Sequence, residues 1–150
     1  MGNIKQKSKK FIYKTNVTWT EEKKGILCSA GKPTIEVATP PEFKGHEGMW
    51  TPEELFVASV NSCIKTTFLY YAQKSNFKFV SYESEAEGTM ERVENQFMFS
   101  EIKVRPKIIV TSSNQIEKAK EFIQLSEKNC LISNSIKTKV EVVPEILTQD

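Results

Sequence analysis

Three cysteines and a single histidine are the groups in this chain most able to do chemistry, and Cys63 holds the most telling position among them. It lies in WTPEELFVASVNSCIKTTFLYYAQKSN, residues 50–76, with Glu53 ten residues before it. A thiol attacks only as its thiolate. Burial without a cation would raise the pKa and leave the group inert, and a cysteine about three turns into a helix gains little from the dipole at its start. A reactive Cys63 therefore needs a positive partner from elsewhere in the fold. Otherwise it is a small hydrophobe filling a helix interface. Lys65, two residues on, either snorkels to the surface or is a candidate for that partner. The second thiol of interest, Cys130, sits in NCLISNSIK; an odd number of cysteines argues against a disulfide framework. Cys28 reads as packing in a short strand. His46, beside Glu47 in a Gly-rich loop, has no companion at metal spacing, so no metal and no bound cofactor are expected.

The elements that must position these groups follow from periodicity. Thr51 reads as an N-cap, Pro52 as the first helical residue and Glu54, three residues after the cap, as completing a capping box. From Leu55 to Tyr71 the apolar residues go nearly all the way round, which predicts a helix buried on several sides. Asn61 and Lys65 interrupt the run too early for a membrane span. Before it, Phe11–Trp19, Ile26–Ser29 and Thr34–Thr39 read as an antiparallel meander, with TEEKKG as the first turn and residues 40–49 as a loop. After it, residues 80–90 alternate, with Glu83, Glu85 and Glu87 on the wet face. RVENQ is a turn, and Phe97–Thr111 the return strand; its phase changes between Phe99 and Ile102 and Pro106 interrupts it, which predicts a bulge or a bend. Ser112 or Ser113 caps a second helix whose inner face is Ile116, Ala119, Phe122, Ile123 and Ser126. NCLISNSIK is a short helix or a turn, and Thr138–Val143 a last strand stopped by Pro144. The expected class is α+β, an antiparallel sheet packed on a long buried central helix and a second amphipathic helix.

With 39% hydrophobic and 27% charged residues the chain is an ordinary globular one, read as a flexible basic tail over 1–10 and a single domain over 11–150. Of the net charge of +2, Lys5, Lys7, Lys9 and Lys10 fall in the tail, leaving the body at −2. That excludes the basic face of a nucleic-acid binder. Residues 1–10 lack a secretory apolar stretch, and Gln6 stands where a myristoylation motif needs Ser or Thr; a cytoplasmic protein is expected.

TPEELFVASVNSC resembles the N-P-E-[EQ]-L signature, ending in a cysteine, of the OsmC/Ohr family of osmotically inducible and organic hydroperoxide resistance proteins. The order and spacing of the other elements extend the resemblance over about Phe11–Val143. It implies that Cys63 is the peroxidatic cysteine, Cys130 the resolving one and Glu53 the glutamate that orients the catalytic cation. Lys23 of TEEKKG takes the place of the family's arginine, a point charge in place of a planar fork. Leu131 takes the place of the proline that follows the second cysteine. The implied activity is reduction of hydroperoxides through a sulfenic acid and a disulfide, reset by an external dithiol reductant, in an intertwined homodimer. Helix geometry agrees with a dimer, because ten helical residues rise about 15 Å and Glu53 and Cys63 of one helix cannot easily share a site. Phe56, Val60 and Thr67 flank Cys63 at helical spacing, as the wall of an apolar substrate pocket or as plain core. A rival reading keeps the fold and drops the turnover, leaving a ligand-binding or redox-responsive protein.

Overall fold

The computed structural model describes residues 8–149. Of the basic tail, residues 1–7 lie outside the described residues, while Ser8, Lys9 and Lys10 are exposed. The chain divides into two compact units, one ending at Pro52 and the other beginning at Glu53.

The first unit is the expected antiparallel meander, β1 (Asn16–Trp19), β2 (Lys24–Cys28) and β3 (Ile35–Ala38), in that spatial order. Its first strand is shorter than predicted. Only Asn16–Trp19 find partners, on Gly25–Cys28, and what precedes them is held by the Ser29 hydroxyl donating to the Lys14 carbonyl at 2.9 Å. The TEEKKG turn closes with Glu22 at φ 47° and the Trp19 indole N–H on the Glu22 carbonyl. Residues 40–49 form the expected loop, with one 3-10 turn at Pro41–Phe43. The Ala38 N–H then donates to the Trp50 carbonyl, which leads the chain into the next helix.

The second unit is built on α1 (Pro52–Lys74) and a four-stranded sheet. β4 (Ser81–Val93) alternates as predicted, with its glutamates outside and Tyr82, Ser84, Ala86 and Gly88 turned inward. Glu94 and Asn95, both at positive φ, make a two-residue hairpin to β5 (Gln96–Val110). The predicted bulge is present. Thr89 pairs with Glu101 and Met90 with Phe99, so Ser100 is the extra residue, and beyond it Ile102, Val104, Pro106, Ile108 and Val110 all face the core.

Two expectations about proline are corrected. Pro106 does not interrupt β5, and Pro144 does not end the sheet but separates β6 (Lys139–Val142) from a strand not foreseen, β7 (Glu145–Thr148). Both run parallel to β5, so the sheet is mixed. The two prolines are compatible for one reason. β6 pairs with residues 101–104 and β7 with 107–110, so position 106 faces the gap between them, and its missing N–H leaves no ladder partner unsatisfied.

α2 (Ile116–Asn129) follows a 3-10 turn capped by Ser112, with Gln115 completing a capping box, and buries Ala119, Phe122, Ile123 and Ser126 as predicted. α1 departs from expectation. Within the chain it buries a single stripe, Val60, Ile64, Phe68 and Ala72, rather than most of its circumference, because the sheet and α2 cover only one side. Phe68 anchors that stripe, its ring 5.3 Å from those of Phe79 and Tyr82 and 6.4 Å from Phe122 of α2. No helix among the described residues is long and apolar enough to cross a membrane.

Candidate functional site

Cys63 projects from the middle of α1, and its one-turn neighbour Thr67 donates its hydroxyl to the Cys63 carbonyl at 2.7 Å while standing 4.0 Å from Sγ. The other wall is the turn after α2. Two contacts fix that turn against α1: the Asn129 amide donates to the Tyr71 hydroxyl at 2.7 Å, and Tyr71 stacks on Phe122. Cys130, fully buried as the residue that ends α2, belongs to the core cluster against which Cys63 packs, and both are free thiols. The chain then makes a 3-10 turn at Ser133–Ser135, so the third segment expected at NCLISNSIK is a turn.

The two thiols are tuned in opposite directions. Burial pushes Cys63 up, but hydrogen bonds from the Cys130 thiol, the Ile132 backbone, Thr67 and the Leu131 backbone outweigh it and leave Cys63 below the ordinary thiol value. Burial also pushes Cys130 up. Its contacts with Ser133, including the Ser133 N–H at 3.4 Å from Sγ, pull it back in part, and the neighbouring Cys63 raises it further. Cys63 is thus the thiol readier to ionise, and Cys130 the one that keeps its proton. The sequence called for a cation beside Cys63; the groups that lower it here are a thiol, a hydroxyl and backbone N–H groups. No side-chain pattern could have revealed the last of these.

The family model for OsmC-like protein matches residues 45–145. The chain belongs to the OsmC-like family. Among solved structures, an OsmC-like protein of unknown function from Vibrio cholerae superposes with a TM-score of 0.82 at 23% identity, covering 90% of this chain and 99% of its own. An organic hydroperoxide resistance protein from Elizabethkingia anophelis gives 0.71 at 23% identity, covering 94% and 100%, and one from Legionella pneumophila 0.66 at 22%, covering 92% and 99%. Comparison with curated proteins found no match.

The other residues singled out in this OsmC-like chain fall in separate places. Glu53 is in the first turn of α1, and its Oε2 is enclosed without a hydrogen-bond partner. Phe56 is half-buried with its ring 5.0 Å from that of Phe99, whereas Val60 has no exposed surface and belongs to the core. Lys65 is exposed; two residues on from Cys63 is about 200° round the helix, and it lines a shallow cleft with Asn61, Ser62 and Tyr82. Asn61 is explained by Ser84, whose hydroxyl donates to its side-chain carbonyl. Lys23 belongs to the first unit, where its ammonium donates to the Phe43 carbonyl at 3.0 Å and its side chain lines a cavity of about 510 Å³ with Trp19, Val37 and Thr39. Cys28 pairs through its backbone with Asn16 in the meander, and His46 Nε2 lies 3.3 Å from a Glu22 carboxylate oxygen.

Proposed function

We propose that this protein is a two-thiol hydroperoxide reductase serving in peroxide defence, with Cys63 as nucleophile and Cys130 as resolving thiol. One observation carries the reading: two cysteines far apart in sequence meet in the fold, one held ready to ionise and the other held protonated. The structural neighbours from E. anophelis and L. pneumophila are organic hydroperoxide resistance proteins, which supports the substrate class.

The Cys63 thiolate attacks one oxygen of the hydroperoxide and breaks the O–O bond, giving a Cys63 sulfenic acid and an alcohol that takes its proton from solvent. The sulfur is oxidised by two electrons and the peroxide reduced. Cys130 then attacks the sulfenic sulfur, forming a disulfide and releasing water. An external dithiol of the cytoplasm resets the pair by exchange, ending as a disulfide itself. Thr67 offers surface beside the nucleophile for the organic group and the half-buried Phe56 a further apolar face two turns earlier on the helix, whereas Val60 only supports the helix from the core. Glu53 stands about 15 Å up the same helix, so a site using both Glu53 and Cys63 takes them from two copies of the chain in a homodimer. Only the resemblance gives the position of Lys23 a charge role, and Lys23→Ala, read as the rate of peroxide consumption, is the test of it.

The deciding experiment counts free thiols and intact mass after one equivalent of cumene hydroperoxide. Wild type should lose two thiols rapidly, Cys130→Ser should accumulate an oxidised Cys63, and Cys63→Ser should be inert. Retention of all thiols over minutes in wild type would remove the peroxidase reading. A second reading, a ligand-binding OsmC-like protein without turnover, draws on the cavity beside Lys23. It predicts ligand-dependent stabilisation that survives Cys63→Ser.

A further inference from the structure

A disulfide between Cys63 and Cys130 joins two sulfurs of very different access. Cys63 is partly exposed on α1, with the Thr67 hydroxyl 4.0 Å from its Sγ. Cys130 has no exposed surface and belongs to the core cluster with Ile64, Phe122 and Ile123. The chain around Cys130 is also pinned on both sides. Its carbonyl accepts the Asn134 N–H at 3.0 Å and the Ser133 hydroxyl at 3.2 Å. The side-chain amides of Asn129 and Asn134 donate to the Tyr71 hydroxyl at 2.7 Å and the Lys128 carbonyl at 3.1 Å. Cys130 cannot swing outward without breaking several of these bonds together. One donor faces its sulfur, the Ser133 N–H at 3.4 Å.

We propose that the reductant which resets the pair attacks the sulfur of Cys63, and that Cys130 is the departing sulfur. The inference rests on the proposed function in taking this disulfide as the oxidised state. A thiolate of the reductant attacks Cys63 and forms a mixed disulfide; the Cys63–Cys130 bond breaks and its electron pair goes to Cys130. The Ser133 N–H receives that charge, and a hydrogen bond to an ionised acceptor is roughly twice as strong as a neutral one. Cys130 then takes a proton from solvent. The second thiol of the reductant ionises, attacks the reductant's own sulfur, closes its disulfide and releases the Cys63 thiolate, so two electrons have passed to the protein. Leaving-group acidity alone favours the opposite order, because Cys63 ionises more readily than Cys130. Access decides against it: a sulfur with no surface is reached only when the structure opens. The arrangement also selects the reductant. A monothiol joined to Cys63 stays beside the pinned Cys130, which attacks back at high effective concentration and expels it, whereas a dithiol has an intramolecular route of its own.

The test starts from wild type oxidised with diamide, which involves no hydroperoxide, and adds excess glutathione as a monothiol probe. After acid quenching, free thiols are alkylated with N-ethylmaleimide in denaturant and both modifications are located by peptide mass. Glutathione should sit on Cys63 with Cys130 alkylated; glutathione mainly on Cys130 overturns the proposal, and so does a diamide treatment that closes no disulfide between the two. Where back-attack keeps the adduct below detection, folded variants in a Cys28→Ser background decide. The aromatic disulfide DTNB should take Cys63 of Cys130→Ser about a hundredfold faster than Cys130 of Cys63→Ser, because the latter waits for the core to open; comparable rates overturn the proposal. The two readings fail separately. A protein that consumes no peroxide but is reset at Cys63 loses the proposed function and keeps this inference, and one that turns over peroxide with glutathione on Cys130 does the reverse.

Discussion

Replacing Tyr82 with Phe should make the protein more stable than wild type in alkali while changing little at neutral pH. Tyr82 lies on the inner face of β4 with its ring against Phe68, and burial, only partly opposed by Ser84, raises its hydroxyl from 10.0 to about 12. The folded chain therefore keeps a proton that the unfolded chain releases from pH 10 upward. Stability tied to that proton is whole below about pH 10 and is lost as pH rises through about 12. Two units correspond to about 2.7 kcal/mol, and solvent reaching the less buried part of the ring trims this to roughly 2 kcal/mol. Urea unfolding followed by circular dichroism, on both proteins from neutral pH to about pH 11.5, gives the difference directly. Other ionisations cancel between the two curves. Near neutrality the variants should agree within about 1 kcal/mol, the ordinary worth of one hydroxyl. A difference that stays flat above pH 10 would refute the reasoning and place Tyr82 in water.

Three further outcomes follow from the same packing. Gly88→Ala puts a methyl 2.6 Å from Val57 Cγ2 and 3.0 Å from the Phe99 ring, so it should cost about 1–3 kcal/mol in urea unfolding by pushing β4 off α1. Phe68→Ala empties the contact of α1 with Phe79, Tyr82 and Phe122 and should cost about 3–5 kcal/mol, read as a lower urea midpoint. Cys130→Ala removes the foremost of the hydrogen bonds that lower Cys63, so alkylation of Cys63 at neutral pH should slow roughly tenfold, while Cys130→Ser, which keeps a donor, should slow it less.

The sequence announced those features that depend on side-chain pattern. The buried set of α2 was readable because apolar residues recur at helical spacing, and the bulge at Ser100 because an inserted residue must reverse the alternation of β5. Cys63 and Cys130 were legible as a pair only through the family signature. What stayed hidden depends on backbone partners. Proline reads as a strand breaker on its own, yet at positions 106 and 144 each sits where no ladder bond is required, a matter of which strands lie alongside. β7 was missed for that reason. The backbone influence on Cys63 was missed for a related one: an N–H belongs to almost every residue, so nothing in the letters Leu-Ile distinguishes amides that lower a thiol.

Between Cys63 and the turn that acidifies it the chain must first lay down the β4–β5 hairpin and all of α2. During synthesis, then, Cys63 leaves the ribosome long before Cys130 and the turn around it exist. Until α2 docks, the nascent thiol has ordinary acidity and competes poorly for oxidants or stray disulfides. Fast thiol chemistry at Cys63 is consequently a certificate of completed folding, and its loss during gentle denaturation would report α2 and the turn after it leaving α1.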